Sequence, residues 1–157
     1  MPIYSEPGSI YKIDEIVNKY QVKKILLVTG KDSFVKCGAQ KIINRLLQEY
    51  DLYYFNDFQT NPNLNDALKG LEYAFSKDIE MIISVGGGSV IDMSKIIKSL
   101  YLNPSNAEEI AKGLKQVNDP KIPMISIPTT SGSGSESTHF AVVYVNDEKY
   151  SIANNCL

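Results

Sequence analysis

The 157-residue sequence contains no tryptophan, one histidine and two cysteines. His139 by itself cannot build a multi-histidine metal site, and neither an H-E-x-x-H nor an H-x-E pattern surrounds it. A transition-metal site would need ligands from outside the chain, or carboxylates that the sequence does not single out. His139 therefore reads as a surface or packing residue within a strand-like run. Cys37 and Cys156 are too few for a disulfide framework and match no zinc spacing. They read as small thiols, and a reducing cytoplasm is the simplest location for them. No apolar stretch approaches the ~20 residues needed to span a bilayer. The amino terminus shows no secretory pattern, so no membrane partner is expected. The net charge of −2 gives no general attraction to nucleic acid or to an anionic membrane. What remains is ordinary for a globular protein: 43% apolar and 22% charged residues, in a chain long enough for one domain with a real core.

Strand-like and helix-like runs alternate along this chain, which predicts βαβ units and an α/β fold with a Rossmann-like, mostly parallel sheet. Ser9 to Tyr20 places Ile10, Ile13, Ile16 and Val17 on one helical face. Lys24 to Thr29 is nearly continuous in apolar residues, as a strand covered on both sides should be. Gly30 to Ser33 forms a turn, and Asp32 or Ser33 is placed to cap a helix running to about Tyr50. An aromatic-rich strand spans Leu52 to Phe58, after which Asn63 is placed to cap a helix from Leu64 to Lys77. Met81 to Val85 reads as a buried strand and Ser89 to Leu100 as a helix. A short helix follows near Ala107 to Leu114, then a strand from Pro123 to Ile127. A β-hairpin near the carboxyl end, Phe140 to Val145 and Lys149 to Ala153, turns at Asn146-Asp147.

Two segments carry chemistry. Gly86, Gly87 and Gly88 lie between an apolar strand and an amphipathic helix. Without side chains there, a phosphate can approach the main chain, and the first N–H groups of the helix lack internal partners and carry the positive end of its dipole. An ordinary tight strand-to-helix turn would look the same, and the pattern is neither G-x-G-x-x-G nor G-x-x-x-x-G-K-S/T. The second segment, Thr129 to Thr138, is rich in glycine and hydroxyl side chains. It reads either as a flexible linker or as a ligand loop. Its position directly after a buried strand puts it at the sheet edge where ligands bind. Thr129, Thr130, Ser131 and Ser133 would offer donors to phosphate or ribose oxygens. Glu136 reads as a structural acceptor rather than an acid–base group.

These two loops, Gly86 to Lys95 and Pro128 to Glu136, resemble those of the iron-containing (group III) alcohol dehydrogenases, whose usual forms are G-G-G-S-x-x-D-x-x-K and P-T-T-x-G-T-G-S-E. Supporting stretches are Gly8-Ser9-Ile10, Thr29-Gly30-Lys31 and Asn61-Pro62-Asn63, so the resemblance runs over nearly the whole chain. It implies an oxidoreductase that uses NAD or NADP and a divalent metal, iron or zinc, to interconvert a small alcohol and an aldehyde or ketone, as a homo-oligomer. By this analogy Gly87, Gly88 and Ser89 lie on the cofactor pyrophosphate and Asp92 lies near the nicotinamide side. Thr129, Thr130 and Ser133 match cofactor-contacting positions, Lys149 matches a lysine that reaches the ribose, and Asn61 is counted with them. Read from the residues alone, Asp92 caps or pairs with Lys95 across one helical turn, and Lys149 is a solvated strand lysine.

Two departures from the family pattern stand out. NAD-preferring members often carry an acidic residue where this chain has Gly30. Lys31 and Ser33 here offer a cation and a hydroxyl to a 2′-phosphate, while Asp32 argues for NAD. The family also binds its metal from an all-helical domain that follows the region seen in this sequence. Residues 1–157 are therefore expected to be the NAD(P)-binding domain alone, with no metal ligand, no assignable catalytic residue and no hydride transfer without the rest. A stand-alone nucleotide-binding module and a relative of glycerol dehydrogenase or 3-dehydroquinate synthase are the rival readings.

Overall fold

The computed structural model describes residues 2–157. Strand β1 (Lys24–Thr29) lies between β2 (Asp51–Phe55) and β3 (Met81–Gly86), and β4 (Met124–Pro128) pairs with the far side of β3. All these pairings are parallel, with Ile25 opposite both Leu52 and Met81, and Ile82 opposite Met124. The chain leaves β1 toward β2 on one side and returns to β3 on the other. The sheet therefore has its switch point between the carboxyl ends of β1 and β3, where ligands of open α/β sheets bind. Successive side chains of a strand point to opposite faces, so the central strands feed two cores. Leu26, Val28 and Ile82 pack under α4 (Leu64–Ser76) and α5 (Gly88–Leu100), beside α6 (Ala107–Ala111). Ile25, Leu27, Met81, Ile83 and Val85 pack against Ile13 and Val17 of α1 (Ile13–Asn18), Phe34 of α2 (Ser33–Lys36) and Ile43 of α3 (Ala39–Leu46).

The α/β fold and the carboxyl-terminal hairpin are as the sequence predicts, with refinements. The hairpin of β5 (Phe140–Val145) and β6 (Glu148–Ala153) is a separate antiparallel sheet and does not extend the parallel one. Its turn residues Asn146 and Asp147 both have positive φ, 50° and 65°, as a two-residue hairpin turn matched to strand twist requires. Ala141, Val143, Val145 and Ile152 join the core under α5. The helix expected from Ser33 to Tyr50 is broken at Gly38, whose φ of 78° is left-handed. Neither Asp32 nor Ser33 caps its start, since Asp32 makes no side-chain cap bond. The amino-terminal helix begins as a 3-10 turn over Ser9–Lys12. Among the described residues, no helix is long and apolar enough to cross a membrane.

Asn63 caps α4 as predicted, and the cap does more than end a helix. Its Oδ1 accepts from the Asp66 N–H at 2.8 Å, and its Nδ2 donates to Asp66 Oδ2 at 2.9 Å. The same carboxylate accepts from the Gln59 N–H at 3.3 Å and from Lys69 Nζ at 2.9 Å. The cap therefore holds the segment that follows β2 against the start of α4. Burial pushes the Asp66 carboxyl up, but the Lys69 ammonium, the Gln59 N–H and the Asn63 amide outweigh it and hold it below the usual carboxylate range. Replacing Asn63 with Ala should lower stability by about 1 kcal/mol in urea unfolding. Asp66 binds its proton less readily folded than unfolded. Its stabilisation is therefore complete above the unfolded value and is lost as pH falls through the lower, folded one. Urea midpoints measured below about pH 4 should fall more steeply for the natural chain than for Asp66→Asn.

Candidate functional site

Strand β3 passes into α5 through a single residue, Gly87. A side chain at Gly86 would come within 2.5 Å of Val90 Cγ2, so only a bare position allows the helix to start hard against the strand. The Gly87 carbonyl accepts from the Val90 and Ile91 N–H groups at 3.0 and 3.2 Å, and these are the first helical bonds. The N–H groups of Gly88 and Ser89 precede them and have no helical acceptor. With the helix dipole behind them, they form a positive backbone surface at the carboxyl edge of the sheet.

The hydroxyl-rich segment is not a loose linker, because it packs onto this turn. The Thr129 N–H donates to the Gly86 carbonyl at 2.9 Å, and the segment turns at Gly132 and Gly134, with φ of 101° and 64°. A Cβ at Gly87 would sit 3.2 Å from Thr130 Oγ1, and one at Gly88 only 3.0 Å from Ser133 Cβ and 3.1 Å from Ser135 Oγ. The two loops read separately from the sequence are thus one surface. Asp92, one turn along α5, accepts from the Val142 N–H of β5 at 3.3 Å. Burial raises the Asp92 carboxyl, with the Val142 N–H and the Lys95 and Ser135 side chains pulling the other way. Lys95 makes no ion pair with Asp92; its ammonium donates to the carbonyls of Ser135, Thr138 and Phe140 instead. The pairing across one helical turn that the spacing suggested is therefore not formed.

On the other side of the switch point, Ser33 folds back over Gly30. A Cβ at Gly30 would collide with Ser33 Oγ, so the hydroxyl occupies the space a side chain would take. Lys31 Nζ pairs with Asp57 Oδ1 at 2.9 Å, and Asp32 pairs with Lys36 at 3.5 Å. A cleft of about 500 Å³ runs between these parts. It brings together Lys31, Ser33, Gly87, Gly88, Ser89, Thr129 and Thr130, with Ser133 at its rim through its contact with Gly88. Asn61, Asp92 and Lys149 do not line it. Asn61 lies one residue beyond the lining Thr60. The Tyr144 N–H donates to the Pro62 carbonyl at 2.8 Å, and Tyr144 also stands opposite Lys149. Strand β5 thus separates the Asn61–Asn63 segment from Lys149.

Asn56, Phe58, Gln59 and Thr60 line the same cleft and were not singled out from the sequence, and Thr29, quoted there only within a family-like stretch, lines it as well. Thr29 is 1% exposed, and its Oγ1 has no hydrogen-bond partner among the described residues. A buried hydroxyl left alone beside a cleft is normally satisfied by what occupies that cleft. With the glycine turn, this makes the cleft fit a phosphate-bearing ligand. A signal for the missed residues existed: the loop after β2 must lie next to that after β1 in any parallel sheet with this switch point. No equivalent fit exists for a metal, since among the described residues no group of three or more His, Cys, Asp or Glu side chains converges. His139 is exposed and meets Phe140 edge-on at 6.0 Å.

Known proteins resemble this chain over nearly its whole length. A family model described as iron-containing alcohol dehydrogenase matches residues 2–157. A protein of Caenorhabditis elegans named as a mitochondrial hydroxyacid-oxoacid transhydrogenase is 32% identical over 152 residues, covering 90% of this chain and 32% of the relative. Alcohol dehydrogenase 4 of Saccharomyces cerevisiae is 28% identical over 148 residues, covering 93% of this chain and 38% of the relative. This chain thus spans about a third of the length of these curated relatives. The crystal structure of sulfoacetaldehyde reductase from Bifidobacterium kashiwanohense in complex with NAD+ superposes with a TM-score of 0.86 at 26% identity, over 99% of this chain and 44% of that one. The chain belongs to the iron-containing alcohol dehydrogenase family.

Proposed function

We propose that this chain binds NAD or NADP at the carboxyl ends of β1, β3 and β4, as the dinucleotide-binding half of an oxidoreductase that interconverts a small alcohol and an aldehyde or ketone. The observation that carries this reading is the contact of the two loops: Thr130 and Ser133 lie directly over Gly87 and Gly88, at the open start of α5. In this reading the N–H groups of Gly88 and Ser89 hold the pyrophosphate, and the Thr129, Thr130 and Ser133 hydroxyls complete its hydrogen bonds. Thr29 Oγ1 takes a ligand oxygen as the partner it otherwise lacks. Asn61 and Lys149 reach the cofactor from outside the cleft, and Asp92 acts through the hairpin strand that it holds. Once bound, the cofactor supplies a nicotinamide ring that accepts or releases a hydride. Relatives named as a transhydrogenase and a dehydrogenase, and a neighbour solved with NAD+, support the same class of chemistry. The described residues offer no ligand set for a divalent metal, and no step is assigned to one. The substrate-facing surface, the homo-oligomer and a cytoplasmic location belong to the same reading.

The turn after β1 favours NAD over NADP. Gly30 removes the carboxylate that would repel a 2′-phosphate, but Asp57 already pairs with Lys31 and Asp32 with Lys36, so neither lysine is free for that phosphate. A 2′-phosphate would have to displace Asp57 from the lysine.

Titrating the chain with NADH, followed by ligand fluorescence, should show saturable binding. Gly88→Leu should weaken it at least about tenfold, because the new side chain must displace Ser133 from the turn. A folded chain that binds neither NADH nor NADPH would sink the proposal. NADH should bind more tightly than NADPH. Asp57→Ala frees Lys31 and should move the ratio of the two dissociation constants toward NADPH by about fivefold, a modest shift because the pair is exposed. An unchanged ratio would remove Lys31 from the site.

A further inference from the structure

We propose that Lys95 is a positioning residue that holds the Thr129–Thr138 loop in place over the glycine turn, so that the dinucleotide meets a prearranged surface. The proposal rests on the cofactor-binding reading above. Lys95 is 2% exposed and is the largest fully buried side chain among the described residues. Its ammonium donates to the Ser135 carbonyl at 2.7 Å, the Thr138 carbonyl at 2.6 Å, the Phe140 carbonyl at 3.0 Å and Thr138 Oγ1 at 3.2 Å. Among the described residues, no carboxylate pairs with it directly. Asp92 and Glu136 favour its charge from a distance, while burial pushes the ammonium below its usual value.

A buried ammonium is expensive unless its hydrogens are all used. Here every acceptor belongs to the exit of the hydroxyl-rich loop, where it turns into β5. The entrance of that loop is fixed by the Thr129 N–H bond to Gly86. Between these anchors Ser131, Gly132 and Ser133 are exposed, and Gly132 and Gly134 leave the backbone free to move. Without the ammonium, three carbonyls lose their common donor, and the loop exit is held only through the hairpin it enters, by the Asn154 N–H bond to the His139 carbonyl at 2.9 Å and the pairing of Phe140 with Ala153.

Helix α5 makes the arrangement specific. Ser89, Asp92 and Lys95 follow one another at three-residue spacing, so they share one face of one rigid element. Its first turn presents the free N–H groups, Asp92 holds β5 through the Val142 N–H, and Lys95 holds the loop exit. The reach of the lysine side chain thus sets the height of the loop hydroxyls above the phosphate-binding turn. A shorter or uncharged side chain would leave part of the ordering of the loop to be done when the cofactor binds, which weakens binding without a lost contact to the ligand.

The test is NADH affinity of the natural chain and of Lys95→Met, both measured well below their melting temperatures. Amide hydrogen exchange of the 129–140 segment and of β3 is followed in parallel. Lys95→Met should raise the NADH dissociation constant at least about tenfold and speed exchange in 129–140, with β3 unchanged. If the Met variant does not fold, Lys95→Gln keeps a donor on a stem too short to reach, and the same loss is expected. A variant that melts earlier but binds NADH within about twofold of the natural chain would make Lys95 purely structural and overturn the proposal. Absence of NADH binding by the natural chain would instead overturn the cofactor reading, and this proposal with it.

Discussion

A side chain at Gly86 would overlap Val90, so the chain can pass from β3 into α5 through one residue only because that position is bare. This steric constraint sets where α5 starts, and the start of α5 determines most of what surrounds it. The helix begins flush with the carboxyl edge of the sheet, its unpaired N–H groups facing the switch point between β1 and β3. Bulk at Gly87 or Gly88 would push away Thr130 or Ser133, so the same bare stretch also admits the second loop.

From that start α5 runs as a buried rod, with Ile91, Met93, Ile96, Ile97 and Leu100 fully covered. One side rests on the sheet and α4, and another carries the hairpin. Gly70 of α4 makes the helix contact close, because a Cβ there would stand 2.6 Å from Ile97 Cδ1 and 2.7 Å from Phe55 Cε1. Along the face toward the hairpin, apolar packing gives way to Asp92 and Lys95, whose polar bonds hold the backbone of β5 and of the loop before it. Apolar contact alone would leave that loop free, because it contributes almost nothing to either core. Directional bonds to its carbonyls are the interaction left to order it.

Much of the fold was legible along the chain because its signals are local. Continuous apolar runs marked β1 and β3, an Asx cap marked the start of α4, and Asn146-Asp147 marked the hairpin turn. The break at Gly38 was missed because the apolar periodicity on either side carries across it. That the hairpin forms a separate sheet was not legible, because alternation predicts a strand but not the sheet it joins. Within the site, the two loops were visible from glycine and hydroxyl content. The lining contributed by Asn56, Phe58, Gln59 and Thr60 was not, since nothing in those residue types marks them. Lys95 looked like the partner of Asp92, because spacing along a helix says which residues are near but not which acceptors lie across from them.

By itself, then, the sequence determined the element order, the α/β class and the two segments that carry the chemistry, all of which depend on side-chain pattern within short windows. Only the tertiary structure decided that those segments touch, that Lys31 is held by Asp57, that the Thr29 hydroxyl is left without a partner among the described residues, and that a buried lysine ties the second loop to α5. Each of these is a contact between residues more than twenty positions apart, or a hydroxyl whose burial depends on such contacts. Their distances follow from the order in which the parallel strands assemble, which no local pattern encodes.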